Sequence, residues 1–279
     1  MTAKQFVSKW CIPPGIRDLV KKRRTAHDNT TTPGLEKYKG SHQGATCYIL
    51  ATGPSINNVD LTKLSGVKIS VSFFYLHKDI SSINPDFHII APNHPPFTFE
   101  LVSKYINGIS TAIPNTPVLY GNRDYQYSIQ NYPNKTANIY EIDLNNSPQI
   151  NDENVHIDDF WDPYIKWFQP RTVIYMAIQW AHFIGCSKII LVGCDHDYMK
   201  DLGRTEGTHF YEEKIGNPSD KAHLQAFTKE RWFEEYYYRW KQYRLMREYL
   251  NPQGVEILDA STTGFLDVFP KTSLTDSFK

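Results

Sequence analysis

The stretch from Thr172 to Asp195, TVIYMAIQWAHFIGCSKIILVGCD, decides the fold class. Its first half places apolar side chains at helical spacing as far as Gly185, a residue type that commonly ends a helix. Its second half, residues 188–192, is a short and strongly apolar run followed by Gly193, which is typical of a buried strand. A helix that leads directly into a buried strand is the repeating unit of α/β proteins with parallel sheets.

The same patterns recur along the chain and predict alternating strands and helices. Short apolar runs predict strands over residues 46–51, 67–74, 87–91, 117–120 and 255–258, and helical spacing predicts helices over about 96–106 and 222–250. In the last helix the aromatic residues recur at helical spacing, which favours a packing face over a ligand site. We therefore predict an α/β fold, a Rossmann-like and mostly parallel sheet with helices on both faces, which binds ligands at the carboxyl ends of its strands.

Changes in composition divide the chain into regions. Residues 1–45 are predicted to be a basic N-terminal arm and linker, residues 46–270 the α/β domain, and residues 271–279 a C-terminal tail. Within the domain, residues 121–165 are rich in Asn, Asp, Tyr and Pro and have no clear period, so we predict a loop-rich lid region there.

The charge and the cysteines indicate where the protein works. Lysine and arginine balance aspartate and glutamate at 30 each, so we expect no binding to nucleic acid. The absence of a long apolar run, of a signal peptide and of C-x-x-C spacing predicts a cytoplasmic protein. Residues 1–24 carry seven basic residues against Asp18, interleaved with apolar ones. This pattern predicts peripheral contact with the anionic inner face of the plasma membrane; the alternative is an arm that docks on the domain.

The turn after the first predicted strand is a candidate binding site. It reads Thr52-Gly53-Pro54-Ser55, and its small residues allow a phosphate or ribose to approach the backbone. It matches neither the dinucleotide fingerprint nor a Walker loop. A Gly-Pro turn of this kind can equally be structural, so the turn alone leaves both interpretations open.

Polar residues near other strand and helix ends are further candidates. Asp195 and Asp197 form the D-x-D pattern that can hold a divalent ion, although Asp195 could instead cap the next turn. Arg171 begins the helix before that strand and is a natural phosphate partner. His209 lies in a polar loop further on and could act as a general base. Asn93 and the neighbouring His94 follow the third strand and are weaker candidates.

Together these segments resemble the metal-independent bacterial sialyltransferases and their relatives. Those relatives include the motility-associated flagellin glycosyltransferases and the 6-hydroxymethylpterin diphosphokinase MptE-like proteins. The motifs that carry the resemblance are residues 49–55, 171–176, 188–195, 209–210 and 264–270. The resemblance implies a single-domain GT-A-like variant of the predicted fold.

The resemblance also implies roles for particular residues. The residues expected to hold the nucleotide donor are Thr52, Gly53, Pro54, Ser55, Ser72, Asn93, Thr172, Asp195 and Asp197. Arg171 and Tyr198 are implied to bind the phosphate, and His209 to be the base that deprotonates the acceptor. Thr52 and Ser72 stand where the sialyltransferases have Asn, and Asp197 stands at the place of the phosphate-binding Tyr, with Tyr198 one position later.

Three functions are compatible with these features. The first is a glycosyltransferase that passes a CMP-activated, nonulosonic-type acidic sugar to a hydroxyl of a surface glycan, glycolipid or protein, with no cofactor required. The second is an MptE-like diphosphokinase that uses ATP, with Mg²⁺ on Asp195 and Asp197. The third is a non-catalytic module that binds a nucleotide or glycan in the same crevice.

Overall fold

The structure is a computed structural model that describes residues 32–93, 97–132, 138–144, 147, 167, 170–197 and 228–274. Residues 1–24, for which membrane contact is predicted, lie outside the described residues.

A seven-stranded sheet forms the centre of the described part of the chain. Its strands are β1 (Thr46–Leu50), β2 (Val67–Val71), β3 (Phe87–Ile90), β4 (Val118–Asn122), β5 (Ile139–Asp143), β6 (Lys188–Val192) and β7 (Glu256–Asp259). They lie in the order β5-β4-β3-β2-β1-β6-β7, and each neighbouring pair is parallel. The predicted α/β, Rossmann-like fold is therefore confirmed, and the described sheet is parallel throughout.

Four α-helices connect or flank the described strands: α1 (Ile80–Ile83), α2 (Phe99–Ala112), α3 (Val173–Phe183) and α4 (Lys229–Leu250). Short 3-10 helices cover Glu36–Tyr38, Pro54–Asn58, Leu61–Lys63, Ser72–Leu76, Tyr125–Tyr127, Ile129–Asn131 and Asn251–Gln253. Threonine caps set three of the helix starts. Thr98, Thr172 and Thr228 each accept a hydrogen bond from a backbone N–H in the first turn that follows. This is why α2 begins at Phe99, three residues later than its apolar pattern suggested.

The alternation of side chains along the strands produces a core on each face of the sheet. On β1, Cys47 and Ile49 pack on the face that α3 and α4 cover, whereas Tyr48 and Leu50 pack on the face that α2 covers. The helix α3 is buried on nearly all sides, which explains its continuous apolar sequence. The three described cysteines are buried free thiols, as their apolar neighbours predicted.

Two segments are more ordered than their composition suggested. The strand β5 lies within residues 121–165, where we predicted a loop, and only Ile142 of this strand is fully buried. An edge strand needs few apolar residues, so β5 carries no strong hydrophobic signal. In the predicted linker, Leu35 is buried in the core and the backbone of residues 40–44 bonds to the end of α3.

Among the described helices, none combines the length and the hydropathy that crossing a bilayer requires.

Candidate functional site

The direction in which the chain adds strands to the sheet reverses between β1 and β6. From β1 the chain adds strands outward to β5, and it then returns to place β6 on the other side of β1. In open α/β sheets the carboxyl ends of the strands at such a switch point form the usual ligand crevice. The structure brings two predicted segments together here, the turn from Thr52 to Ser55 and the segment from Gly193 to Asp197.

Gly53 packs directly against the second of these segments. Its backbone N–H donates to the carbonyl of Gly193 at 2.8 Å. A Cβ atom at residue 53 would lie 2.5 Å from that carbonyl oxygen and 2.6 Å from Oδ2 of Asp195, so glycine is required. Thr52 and Gly53 are half-buried and Pro54 is exposed, which leaves the outer side of the turn accessible to a ligand.

Asp195 fastens the turn to the end of β6. Its carboxylate accepts a hydrogen bond from the Ser55 backbone N–H at 2.9 Å and another from the Ser55 hydroxyl. Burial raises the pKa of the Asp195 carboxyl, whereas the hydrogen bonds from Ser55 lower it. The effect of burial is larger, so the pKa lies above its ordinary value. The buried carboxylate therefore links two loops whose sequences are 140 residues apart.

This arrangement bears on the predicted D-x-D metal site. Each carboxylate oxygen of Asp195 already accepts a hydrogen bond from Ser55. Each of these oxygens keeps a second lone pair, so the bonds to Ser55 neither form nor exclude a Mg²⁺ site on Asp195 and Asp197. In the described ranges, no group of three or more His, Cys, Asp or Glu residues is arranged to hold a metal ion. The described residues therefore supply no three-ligand cluster, and Mg²⁺ on Asp195 and Asp197 stays a prediction.

His196 attaches the segment after β6 to the buried face of α4. It has a φ angle of 47°, in the left-handed region, and its Nε2 lies 2.7 Å from the hydroxyl of Tyr243 on α4. Burial, together with the positive charge of Arg239, lowers the pKa of His196 to about 3. The imidazole is therefore neutral near pH 7 and serves as a hydrogen-bonding anchor.

The segment after β7 supports the β6 end in a way that the sequence did not predict. The hydroxyl of Ser261 accepts a hydrogen bond from the Cys194 backbone N–H at 2.8 Å. The carboxylate of Asp259 accepts bonds from the backbone of Ser261 at 2.8 Å and from Lys271 Nζ at 2.6 Å. No local pattern in the sequence marks the bond between Ser261 and Cys194, because these residues are 67 positions apart.

The motif at residues 264–270 has a structural basis at this place. Gly264 has a φ angle of 118°, and a Cβ atom there would lie 2.2 Å from the carbonyl oxygen of Asp195. The next backbone N–H, of Phe265, donates to that carbonyl at 2.9 Å. The C-terminal motif therefore lies directly against Asp195.

Ser72 and Asn93 stand at the ends of the next two strands, as predicted. Ser72 has a φ angle of 51°, a strained conformation for a residue other than glycine. The ring of His88 is buried next to the strand that leads into this bend, and its Nδ1 lies 2.8 Å from the Ser70 hydroxyl. Asn93 is buried, and its amide donates to the hydroxyl of Tyr120 at 2.9 Å.

Arg171 and Thr172 lie at the start of α3, where Thr172 is the helix cap. Arg171 forms an ion pair with Glu235 of α4, and its guanidinium lies 4.7 Å from the ring centre of Tyr238. Only 14% of its side chain is exposed. The predicted phosphate partner is thus held by a carboxylate, and a ligand phosphate would compete with Glu235 for it.

Three predicted residues, His94, Tyr198 and His209, lie outside the described residues. The described part of the site is a half-exposed turn at the switch point, fastened by Ser55, Asp195 and the C-terminal segment. Such a turn can accept the phosphate or ribose of a nucleotide against its backbone.

Comparison with known proteins gives a family and several distant structures. Solved structures similar to the chain include the sialyltransferase CstII from Campylobacter jejuni with cytidine-5'-monophosphate, at 13% identity and a TM-score of 0.43, covering 83% of this chain and 86% of that one. The same enzyme with CMP-3FNeuAc matches at 12% identity and a TM-score of 0.45, covering 82% and 86%. The sialyltransferase CST-II in complex with a trisaccharide acceptor and CMP matches at 14% identity and a TM-score of 0.41. This match covers 82% of the present chain and 86% of that one.

No curated protein is significantly similar to the chain. One family model does match, described as 6-hydroxymethylpterin diphosphokinase MptE-like, and it covers residues 24–201. Because the match covers more than half of the sequence, the chain belongs to the MptE-like family, one of the groups that its motifs resemble.

Proposed function

We propose that the protein is a glycosyltransferase. It would move a CMP-activated, nonulosonic-type acidic sugar to a hydroxyl of a cell-surface glycan, glycolipid or protein. Residues 1–24 would hold it at the inner face of the plasma membrane, where lipid-linked acceptors are found.

The observation that carries this proposal is the pairing of the Gly53 turn with Asp195. The turn offers half-exposed backbone at the switch point, and the two hydrogen bonds from Ser55 to Asp195 hold it in place. A nucleoside monophosphate leaving group carries less charge than a diphosphate and needs less counter-charge. A CMP-sugar donor could therefore react at this turn with the positive charge of Arg171 as the counter-charge of the departing phosphate.

In the proposed reaction, the donor nucleotide lies along the turn, Ser72, Asn93 and Thr172. His209 accepts the proton of the acceptor hydroxyl as that oxygen attacks the anomeric carbon. Arg171 and Tyr198 stabilise the negative charge of the departing phosphate. Since Arg171 is paired with Glu235, its positive charge is already positioned at the start of α3 before the donor binds.

The family description favours a second candidate, a diphosphokinase that transfers a diphosphate from ATP. ATP would then lie at the Gly53 turn, and Mg²⁺ would need Asp195 and Asp197. This candidate requires Asp195 and Asp197 to coordinate the metal, which the first candidate does not require. The third candidate, a non-catalytic binding module, needs neither a base nor a metal.

Calorimetry and thermal shift with CMP, CDP, UDP, GDP and ATP, each with and without Mg²⁺, separate these candidates. We expect CMP to stabilise the protein equally well in both conditions. Stabilisation only by ATP with Mg²⁺ would favour the diphosphokinase, and no stabilisation by any nucleotide would refute nucleotide binding. The matched variant His209→Ala should keep CMP affinity and lose sugar transfer; a variant that retains transfer would remove the assigned base.

A further inference from the structure

Arg123 lies at the same edge of the sheet as the proposed nucleotide site. It directly follows β4, which ends at Asn122, so it stands at the carboxyl end of a parallel strand. Because β4 is three strands from β1, the two strand ends are roughly 14 Å apart at the usual strand spacing of about 4.8 Å. A ligand that extends from the Gly53 turn along the sheet edge would reach Arg123 with the end remote from its nucleotide.

Among the described arginines, Arg123 alone forms no ion pair, hydrogen bond or ring contact with the described residues. The other five described arginines, Arg171, Arg231, Arg239, Arg244 and Arg247, each have an ion pair, a hydrogen bond or a ring contact. For Arg123, no ion pair and no hydrogen bond is found among the described residues. Its charge is therefore available to a ligand.

The surroundings of Arg123 make this unpaired charge costly. The residue is half-buried, and burial lowers the pKa of its guanidinium. A guanidinium that loses water without gaining an anion raises the free energy of the folded state. The nearby carboxylates are engaged elsewhere: Glu141 accepts bonds from Asn122 and Ser128, and Asp124 accepts bonds from Gln126.

The loop that follows Arg123 and the start of α2 carry exposed aromatic rings, which suit a sugar. Tyr125 has 76% of its surface exposed, although large apolar residues are usually covered. Phe99, at the start of α2, is 54% exposed and stacks on Tyr132 with 4.8 Å between ring centres. The Tyr127 hydroxyl donates to the Phe97 carbonyl at 3.0 Å, which joins the loop after β4 to the segment before α2. Exposed aromatic faces of this kind are common at binding surfaces.

We propose that Arg123 binds the carboxylate of an acidic sugar, with the aromatic surface of Tyr125 beside it. This inference rests on the proposed function, and Arg123 would be the residue that recognises the carboxylate of the sugar. The guanidinium would bind the carboxylate through two parallel hydrogen bonds. The acidic sugar could be the one carried by the donor or one at the end of the acceptor glycan, and the two sources give different results in the same experiment.

The test compares wild type, Arg123→Gln and the control Arg244→Gln, whose arginine is an exposed residue of α4 paired with Glu248. The probes are CMP, CMP-N-acetylneuraminate, sialyllactose and neutral lactose. We expect Arg123→Gln to bind CMP like wild type. It should bind one of the two acidic ligands about tenfold or more weakly, the expected effect of losing a charge-assisted pair. The CMP-sugar would be weakened if the donor is the source, and sialyllactose if the acceptor is.

Affinities for both acidic ligands within about twofold of wild type would overturn the inference, as would a wild-type protein that binds neither acidic ligand. Failure of the proposed function gives a different result. In that case wild type binds no nucleotide, and the comparison of sialyllactose with lactose still tests Arg123 by itself. The control Arg244→Gln should leave all four affinities unchanged.

Discussion

At the scale of single residues, Gly53 combines a structural contact with the proposed ligand contact. A Cβ atom at this position would lie 2.5 Å from the Gly193 carbonyl oxygen, so Gly53→Ala must push the turn away from β6. We expect a loss of roughly 1–3 kcal/mol in the free energy of unfolding. We also expect nucleotide affinity to fall, because the turn that receives the ligand has moved. Urea denaturation and calorimetry with CMP measure the two effects.

Gly44→Ala is the matched control for this variant. Gly44 has a φ angle of 76° and open space around it, and it lies before β1, at the opposite end of the strand from the turn. Its substitution should cost about 1 kcal/mol from backbone strain alone and leave nucleotide affinity unchanged. Equal nucleotide affinities for the two variants would contradict the assignment of the Gly53 turn.

The sequence could indicate which residues stand at strand ends, but not what their side chains contact. Asp195 was predicted to face the crevice because it ends a strand, and its position there is as expected. Its bonds to Ser55, 140 residues away, depend on how two loops meet in space. The pair of Arg171 with Glu235 is similar, because the two residues meet only once α3 and α4 pack together.

At the scale of elements, the helix α4 supports the end of β6 through Tyr243. The Tyr243 hydroxyl lies 2.7 Å from His196 Nε2 and 3.7 Å from the Cys194 sulfur, and the ring is fully buried. Tyr243→Phe leaves the ring in place and removes the polar partner of a buried imidazole. We expect a loss of about 1–3 kcal/mol in the free energy of unfolding, measured by urea denaturation.

Tyr237→Phe on the same helix is the comparison for this variant. Tyr237 is 59% exposed, and removal of its hydroxyl should change stability by less than about 0.5 kcal/mol. If the two variants were equally stable, the hydroxyl of Tyr243 would have no role in holding the β6 segment.

Strong periodicity made most elements predictable, and its weakness explains the one strand that was missed. Buried strands such as β1 and β6 carry continuous apolar runs because both of their faces are covered. The edge strand β5 reads IYEID, with a single fully buried residue, and so resembles a polar loop. The aromatic residues of α4 form the expected packing face only in part: Tyr236 and Tyr243 are buried, whereas Phe233 and Tyr237 are exposed.

At the scale of the whole molecule, strand order places the site. Alternation of strands and helices predicts a parallel sheet, but the position of β6 beside β1 is a property of the assembled sheet. That neighbour relation brings Gly193 and Asp195 to the Gly53 turn, and β7 then brings Ser261 to Cys194. The candidate site is thus a consequence of topology, built from turns that are weak signals individually.

The same buried groups predict how the whole fold responds to acid. Burial lowers the pKa values of His88 and His196 to about 3, well below the ordinary value of 6.5. Because the pKa of each imidazole is lower in the folded state, the unfolded chain binds more protons than the folded chain between pH 6.5 and pH 3. The free energy of unfolding therefore decreases as the pH falls through this range. Each histidine should reduce the free energy of unfolding by up to about 1.4 kcal/mol per pH unit in that window. Asp195 acts in the opposite direction, because its raised pKa adds stability as its carboxyl gains a proton.

Histidine NMR and urea denaturation between pH 8 and pH 4.5 check this expectation. Two imidazole signals should stay in the neutral form across the range while the folded protein persists, and the denaturation midpoint should fall steadily below about pH 6.5. His196→Gln removes one titrating group, so its midpoint should fall less steeply with pH than that of wild type, whatever its stability at pH 8. A slope equal to that of wild type, or a full set of histidine signals titrating near pH 6.5, would show that these imidazoles are not buried as neutral groups beneath the strand ends.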